Sequence, residues 1–380
     1  MLRIVADDKI PFLHGILEPF AEVRYLPGGK ITREDLMNAD ALLIRTRTRC
    51  GAELLDGTPV KFIASATIGF DHIDVQYCRT NGIYWTNAPG CNSESVAQYI
   101  TSLLLNQAHR SGESLRGKTI GVIGCGNVGS KVARNAGILG MNVLLNDPPR
   151  AGKEGAAAFS EMAEISKKAD FITFHVPLNL SGGDATFHMA DALFFEQLGK
   201  KPFFINSSRG EVCDNAALKQ AIRAGRLSGA ALDVWENEPD IDLDLLNLLD
   251  FATPHVAGYS ADGKSNGTAM CILSLVSFFG LDGDFDHSAL QTPPLPACRE
   301  IDLMPYFNGH ENETELLYRA VTSAYDIVSD DSRLRRNPGA FEKLRGDYPL
   351  RREFDSYLVY APSCLMELLE KLHFKVRKGD

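Results

Sequence analysis

The chain has 380 residues, with 39 basic against 49 acidic side chains and a net charge of −10. That balance argues against nucleic acid or an anionic membrane surface as main partner, and the length predicts two or three domains. No apolar run approaches the ~18 residues of a membrane span. The eight cysteines form no Cys-x-x-Cys pair and no metal-ligand spacing with histidine, so we expect no metal, reduced thiols, and a cytoplasmic protein without leader or anchor.

From residue 1 to about 90, short apolar runs (Leu2 to Ala6, Ala41 to Ile44, Val60 to Ala64, Ile83 to Thr86) alternate with helix-like segments, the pattern of an α/β unit. The run Ala41 to Ile44 leads into Arg45-Thr46-Arg47-Thr48-Arg49. If extended, that stretch puts its arginines on one face and its threonines on the other; Arg47 and Arg49 read equally as a solvated basic edge or as a place for an anion, and Arg45, next to Thr46, is the favoured anion contact. Asn92 or Ser93 can then cap a helix whose Val96, Tyr99, Ile100, Leu103 and Gln107 recur at helical spacing and which links two domains.

Lys118 to Gly129 reads as an apolar strand that turns into Gly124-x-Gly126-x-x-Gly129 just where helical spacing (Val128, Val132, Leu139) begins. Gly124 permits the turn, Gly126 lets the backbone approach a pyrophosphate, and Gly129 allows close packing of helix on strand. Asp147, at the end of the next apolar run, can accept from ribose hydroxyls and repel a 2′-phosphate, so NAD is expected over NADP, with Arg150 weakening that preference slightly. Further strand candidates at 171–174, 203–206, 229–232 and 251–253 complete a Rossmann-type, doubly wound parallel sheet.

Three of those strands end in unusual polar residues: Ser207-Ser208-Arg209-Gly210, Asp233 through Glu238-Pro239, and Thr253-Pro254-His255. Hydride chemistry at a hydroxyl-bearing carbon needs a group that takes and returns the hydroxyl proton, which His255 can do. Glu238 can fix its tautomer, and the planar fork of Arg209 can hold a carboxylate in two-point geometry. In their order and position these segments resemble the signatures of the D-isomer-specific 2-hydroxy acid dehydrogenases. The resemblance implies Arg209, Glu238 and His255 as the catalytic set, and an NAD site at the glycine loop with contacts from Asn127, Val128, Asp147, His175, Ser207, Ser208, Arg209, Asp233 and Gly258. It also implies Thr46, Thr67 and Tyr259 as substrate contacts. Alternatives within the family are phosphoglycerate-type or glycerate-type enzymes, and a distant one is an NAD(H)-sensing corepressor on the same scaffold.

Beyond about 286 a proline cluster, Pro293-Pro294-Leu295-Pro296, leads into a charged, glycine-poor extension. A helix near Glu313 to Val328, a strand near Tyr357 to Ala361 and a final leucine-rich helix are expected there. So small a unit packs on its own chain or on a second copy, and Arg351 and Arg352 either reach a neighbouring active site or, the favoured reading, make surface ion pairs. Together these readings predict a flavodoxin-like α/β substrate-binding lid domain (1–92, completed by 262–286), a Rossmann-type domain (93–261) and a small α+β C-terminal domain (287–380). By resemblance that last domain mediates a homodimer, and the substrate is a small phosphorylated hydroxy acid.

Overall fold

The computed structural model describes residues 1–283, 285–309 and 313–379. The chain divides into two compact units, Met1–Asn92 with Ser260–Pro294, and Ser93–Tyr259 with Leu295–Asp380.

In the first unit five parallel strands, β1 (Leu2–Asp7), β2 (Ala21–Leu26), β3 (Ala41–Ile44), β4 (Phe62–Ser65) and β5 (Tyr84–Thr86), stand in the order β2-β1-β3-β4-β5. This is the flavodoxin-like order. Successive side chains alternate between faces: Ile4, Ala6, Leu43 and Phe62 pack with Ile272 and Leu275 of the helix Ala261–Phe278, and Val5, Leu42, Ile44 and Ile63 pack with Leu36, Leu54 and Cys78. Burial on both faces is why these strands read as unbroken apolar runs. β2 escaped the sequence reading because it is an edge strand, paired with β1 alone, and its AEVRYL pattern is mostly part-exposed.

The second unit holds six parallel strands, β6 (Thr119–Ile123), β7 (Asn142–Asn146), β8 (Phe171–Phe174), β9 (Phe203–Asn206), β10 (Gly229–Leu232) and β11 (Phe251–Ala252), ordered β11-β10-β9-β8-β6-β7. The chain steps outward from β6 to β7 and then crosses back to β8. That reversal places a ligand crevice at the carboxyl ends of β6 and β8.

The C-terminal segment adds β12 (Glu300–Asp302), β13 (Leu358–Ala361) and β14 (Lys375–Lys378), a parallel sheet with β13 in the centre. The helix expected from Glu313 to Val328 is two, Glu313–Ala324 and Ile327–Arg336, because Asp326 caps the second by accepting from Val328 N at 3.0 Å. One apolar core runs from this segment into the Rossmann sheet. Leu316, Val321, Val359 and Leu369 share it with Tyr99, Leu103 and Leu104 of the helix Ser93–Ser111 and with Val122 and Ile205.

Burial of that helix obliges its polar side chains to find partners. Ser95 Oγ donates to Glu353 Oε1 (2.8 Å), Gln98 donates to Arg352 O (3.1 Å), and Ser102 Oγ donates to Tyr325 O (3.0 Å). Arg351 and Arg352 correct the surface reading, for each is only 5% exposed. The Arg351 guanidinium stacks 3.7 Å from the Tyr325 ring centroid and donates to Gln98 Oε1, to Ser95 O, and to the carbonyls of Val256 and Ala257. No surface partner is left for it to seek.

Candidate active site

At the carboxyl end of β6 the chain makes the turn its glycines require. Gly124 has φ +84°, and a Cβ there would meet His175 O at 2.6 Å. A Cβ on Gly129 would overlap the Gly124 carbonyl, whereas one on Gly126 would meet nothing within 4 Å. The first and third glycines therefore serve packing, and the second leaves open space beside the amino end of the helix Asn127–Ile138. Asn127 is exposed and Val128 part-buried at that opening.

Asp147 caps the helix Pro148–Glu154 and accepts from Cys125 N (2.8 Å) and Arg150 N (3.0 Å), so the carboxylate is fixed against the glycine turn. Arg150 is held by the Cys125 carbonyl and by both carboxylate oxygens of Glu154, at 2.8 and 2.7 Å. Across the crevice His175 bonds Thr173 Oγ1 through Nε2 (2.9 Å), and burial pushes its imidazole down to about 3, so the ring is neutral. Its Nδ1 and the Ser207 hydroxyl are buried without a protein partner. Two orphaned polar atoms, an open glycine and a helix start fit the polar face of a dinucleotide.

Asn206 organises the next turn: its side chain accepts from Ser208 N (3.1 Å) and Oγ (2.9 Å) and donates to Arg209 O (2.9 Å). Arg209 spends one donor on Ser208 O (2.8 Å), which leaves most of its fork for a ligand.

Asp233 builds the platform under the histidine. Its carboxylate, 1% exposed, accepts from Thr253 Oγ1 (2.6 Å), Val256 N (2.7 Å) and Ala257 N (2.9 Å), and its carbonyl accepts from His255 N (2.7 Å). This residue was expected among the cofactor contacts; its side-chain oxygens also accept from the turn that carries the histidine. The grip holds His255 in the left-handed region, φ 57°, a conformation a side chain adopts only when its surroundings impose it. Thr253 and Tyr99, bonded hydroxyl to hydroxyl at 2.8 Å, extend the support. Sequence reasoning placed Tyr99 on the face of its helix and Thr253 in a strand-end segment, but the bond between them lies in tertiary contact.

His255 Nδ1 meets Glu238 Oε2 at 2.8 Å, and Glu238 Oε1 accepts from Trp235 N at 2.9 Å. Burial alone would raise the Glu238 carboxyl, but the hydrogen bonds from His255 and the Trp235 amide, with the nearby Arg345 charge, help hold the group below the usual carboxylate range. An ionised Glu238 fixes the proton on Nδ1 and leaves Nε2 as the free base. Gly258 and Tyr259 follow, both part-buried.

In the first unit, Thr46 and Thr67 lie just beyond the carboxyl ends of β3 and β4. β3 stops at Ile44 and the chain turns, so residues 45–49 are not extended and the expected two-faced alternation fails. Thr46, Arg47 and Arg49 are exposed, whereas Thr48 is buried on Gly28 O (2.8 Å). Arg45 donates to Lys9 O (3.2 Å), and Thr67 bonds Ser65 Oγ (2.7 Å) and Gly69 O (3.1 Å). Lys264, unnoticed in the sequence, is the second cation near Arg45. Burial, with a smaller push from Arg45, lowers its ammonium to about 8.

The chain is similar to known proteins over most of its length. The family model of the D-isomer specific 2-hydroxyacid dehydrogenase NAD-binding domain covers residues 93–257, and one described as a domain of unknown function covers 298–373. The chain is 50% identical over 359 residues to erythronate-4-phosphate dehydrogenase of Bacteroides fragilis, covering 94% of this chain and 99% of that one. It is 40% identical to the protein of the same name from Porphyromonas gingivalis, with 94% and 95% covered. Among solved structures it resembles D-lactate dehydrogenase from Aquifex aeolicus complexed with NAD and lactic acid, at 26% identity and TM-score 0.61, over 75% of this chain and 98% of that one.

Proposed function

The chain belongs to the erythronate-4-phosphate dehydrogenases, within the D-isomer-specific 2-hydroxyacid dehydrogenase family, and from that premise we infer how its residues divide the work. It is an NAD-dependent oxidoreductase that converts 4-phospho-D-erythronate to (3R)-3-hydroxy-2-oxo-4-phosphooxybutanoate, a step in pyridoxal 5′-phosphate synthesis. NAD, held by the glycine loop with Asp147, His175 and Ser207, supplies the hydride acceptor. Arg209 holds the substrate carboxylate in its fork and orients C2. His255 takes the C2 hydroxyl proton at Nε2, and Glu238 stabilises the imidazolium that results. Ser208 and Gly258 shape the same crevice, and Arg45, Thr46, Thr67 and Tyr259 are assigned to the substrate.

The observation that carries the catalytic assignment is the 2.8 Å pairing of His255 Nδ1 with Glu238 on a turn fixed by Asp233. NADH formation with 4-phospho-D-erythronate, 3-phospho-D-glycerate and D-erythronate tests the reading. Preference for the first is expected; preference for phosphoglycerate would move the substrate and keep the chemistry. We assign the C-terminal segment to a homodimer interface and the protein to the cytoplasm; light scattering tests the first and fractionation the second. Among the described residues no helix is long and apolar enough to cross a membrane.

A further inference from the structure

The helix Phe341–Gly346 of the C-terminal segment carries Arg345 to Tyr259, four residues beyond the catalytic histidine. The guanidinium carbon lies 5.8 Å from the Tyr259 ring centroid, and Tyr348 meets the same ring edge-on at 5.7 Å. Glu238 is near enough that its carboxylate and the guanidinium favour each other's charged forms. One arm of Arg345 pairs with Glu342 at 3.0 Å and the guanidinium also hydrogen-bonds the Tyr259 side chain, but its Nε is buried with no protein partner. Neighbouring arginines are spent: Arg335 on Asp331 and the carbonyls of Leu246 and Leu249, and Arg351 on Gln98 and three carbonyls. A fork with an uncommitted donor beside the catalytic pair suits an oxyanion.

Coverage of the relatives says which oxyanion. The Aquifex enzyme, crystallised with lactic acid, matches over 98% of its own length yet only 75% of this chain. The relatives named for a phosphorylated acid match over 94% of it, the share that must take in the extension. Resting on the substrate reading above, we propose that Arg345 binds the C4 phosphate of the substrate, which makes the C-terminal segment a specificity determinant of the active site as well as a packing element.

The test compares wild type, Arg345→Ala, Arg345→Lys and Arg45→Ala, all full-length, by kcat/KM for 4-phospho-D-erythronate and D-erythronate. Loss of a charge-assisted contact predicts that Arg345→Ala lowers the phosphorylated-to-unphosphorylated ratio by about 100-fold, mostly through KM. Arg345→Lys should fall between, since an ammonium keeps the charge and loses the fork. Inorganic phosphate, added to the NADH-bound enzyme, should bind Arg345→Ala correspondingly more weakly. An unchanged ratio, with both substrates slowed equally or not at all, would overturn the proposal, as would a collapse confined to Arg45→Ala. Should Arg345→Ala fail to fold, Arg345→Gln and Arg345→Lys give the same comparison. If wild type does not oxidise 4-phospho-D-erythronate, the substrate reading fails, and phosphate binding by the Arg345 variants still decides this one.

Discussion

Both units put polar side chains at the carboxyl ends of parallel strands, yet they hold them differently. Beyond β9, β10 and β11, Asn206, Asp233, Glu238 and His255 are tied to one another and to backbone amides within 3.1 Å. Beyond β3, Thr46, Arg47 and Arg49 are exposed, and Arg45 leans on a single carbonyl. The first arrangement is preorganised, with its desolvation and strain met on folding. The second remains adaptable and suits recognition of a small anion. Proton transfer tolerates little displacement, whereas charge recognition tolerates more.

If that contrast is right, substitutions in the tied region should cost far more than those in the loose one. His255→Ala should lower turnover by about 10²–10⁴, the usual range for a general base, with NADH fluorescence showing the cofactor still bound; unaltered turnover would remove the residue from the mechanism. Arg209→Lys should cost about 100-fold in kcat/KM, because a compact ammonium cannot reproduce two-point binding.

Asp233→Asn should destabilise the fold by about 3 kcal/mol, since an amide cannot accept from Thr253, Val256 and Ala257 together in a buried site. Urea unfolding would measure this, and a change within error would mean the platform is not held as described. For the loose region, Arg45→Ala should raise KM about tenfold, as expected for one part-exposed charged contact, and leave the unfolding midpoint nearly unmoved.

The smallest effect concerns Lys264, whose ammonium is lowered to about 8 from 10.5. Below about pH 8 the folded chain bears the cost of a half-buried charge. Between about 8 and 10.5 it has released a proton that the unfolded chain still holds, so stability rises with pH over that window. Lys264→Met should remove that rise; a mutant whose pH dependence matches wild type would show that the ammonium is not disfavoured.

Local pattern carried a good part of this. The glycine loop was legible because turn, close approach and helix packing each demand glycine at a fixed spacing, and the inner strands β6, β8, β9 and β10 of the Rossmann sheet were legible because burial on both faces forces continuous apolar runs. Arg209, Glu238 and His255 stood out because charged residues directly after apolar strands are unusual.

Folding decided what sequence spacing does not encode. Asp233 became a platform because residues 20 to 24 positions away bring three donors to it. Arg351 became a buried brace because its chain crosses the helix Ser93–Ser111, some 255 residues earlier. The run from Arg45 to Arg49 lost its alternation because β3 ends at Ile44. A side chain's type fixes which bonds it can make, but which partners arrive is set by packing of segments far apart in sequence. The dinucleotide loop could therefore be read from a dozen residues, and the support of the histidine could not.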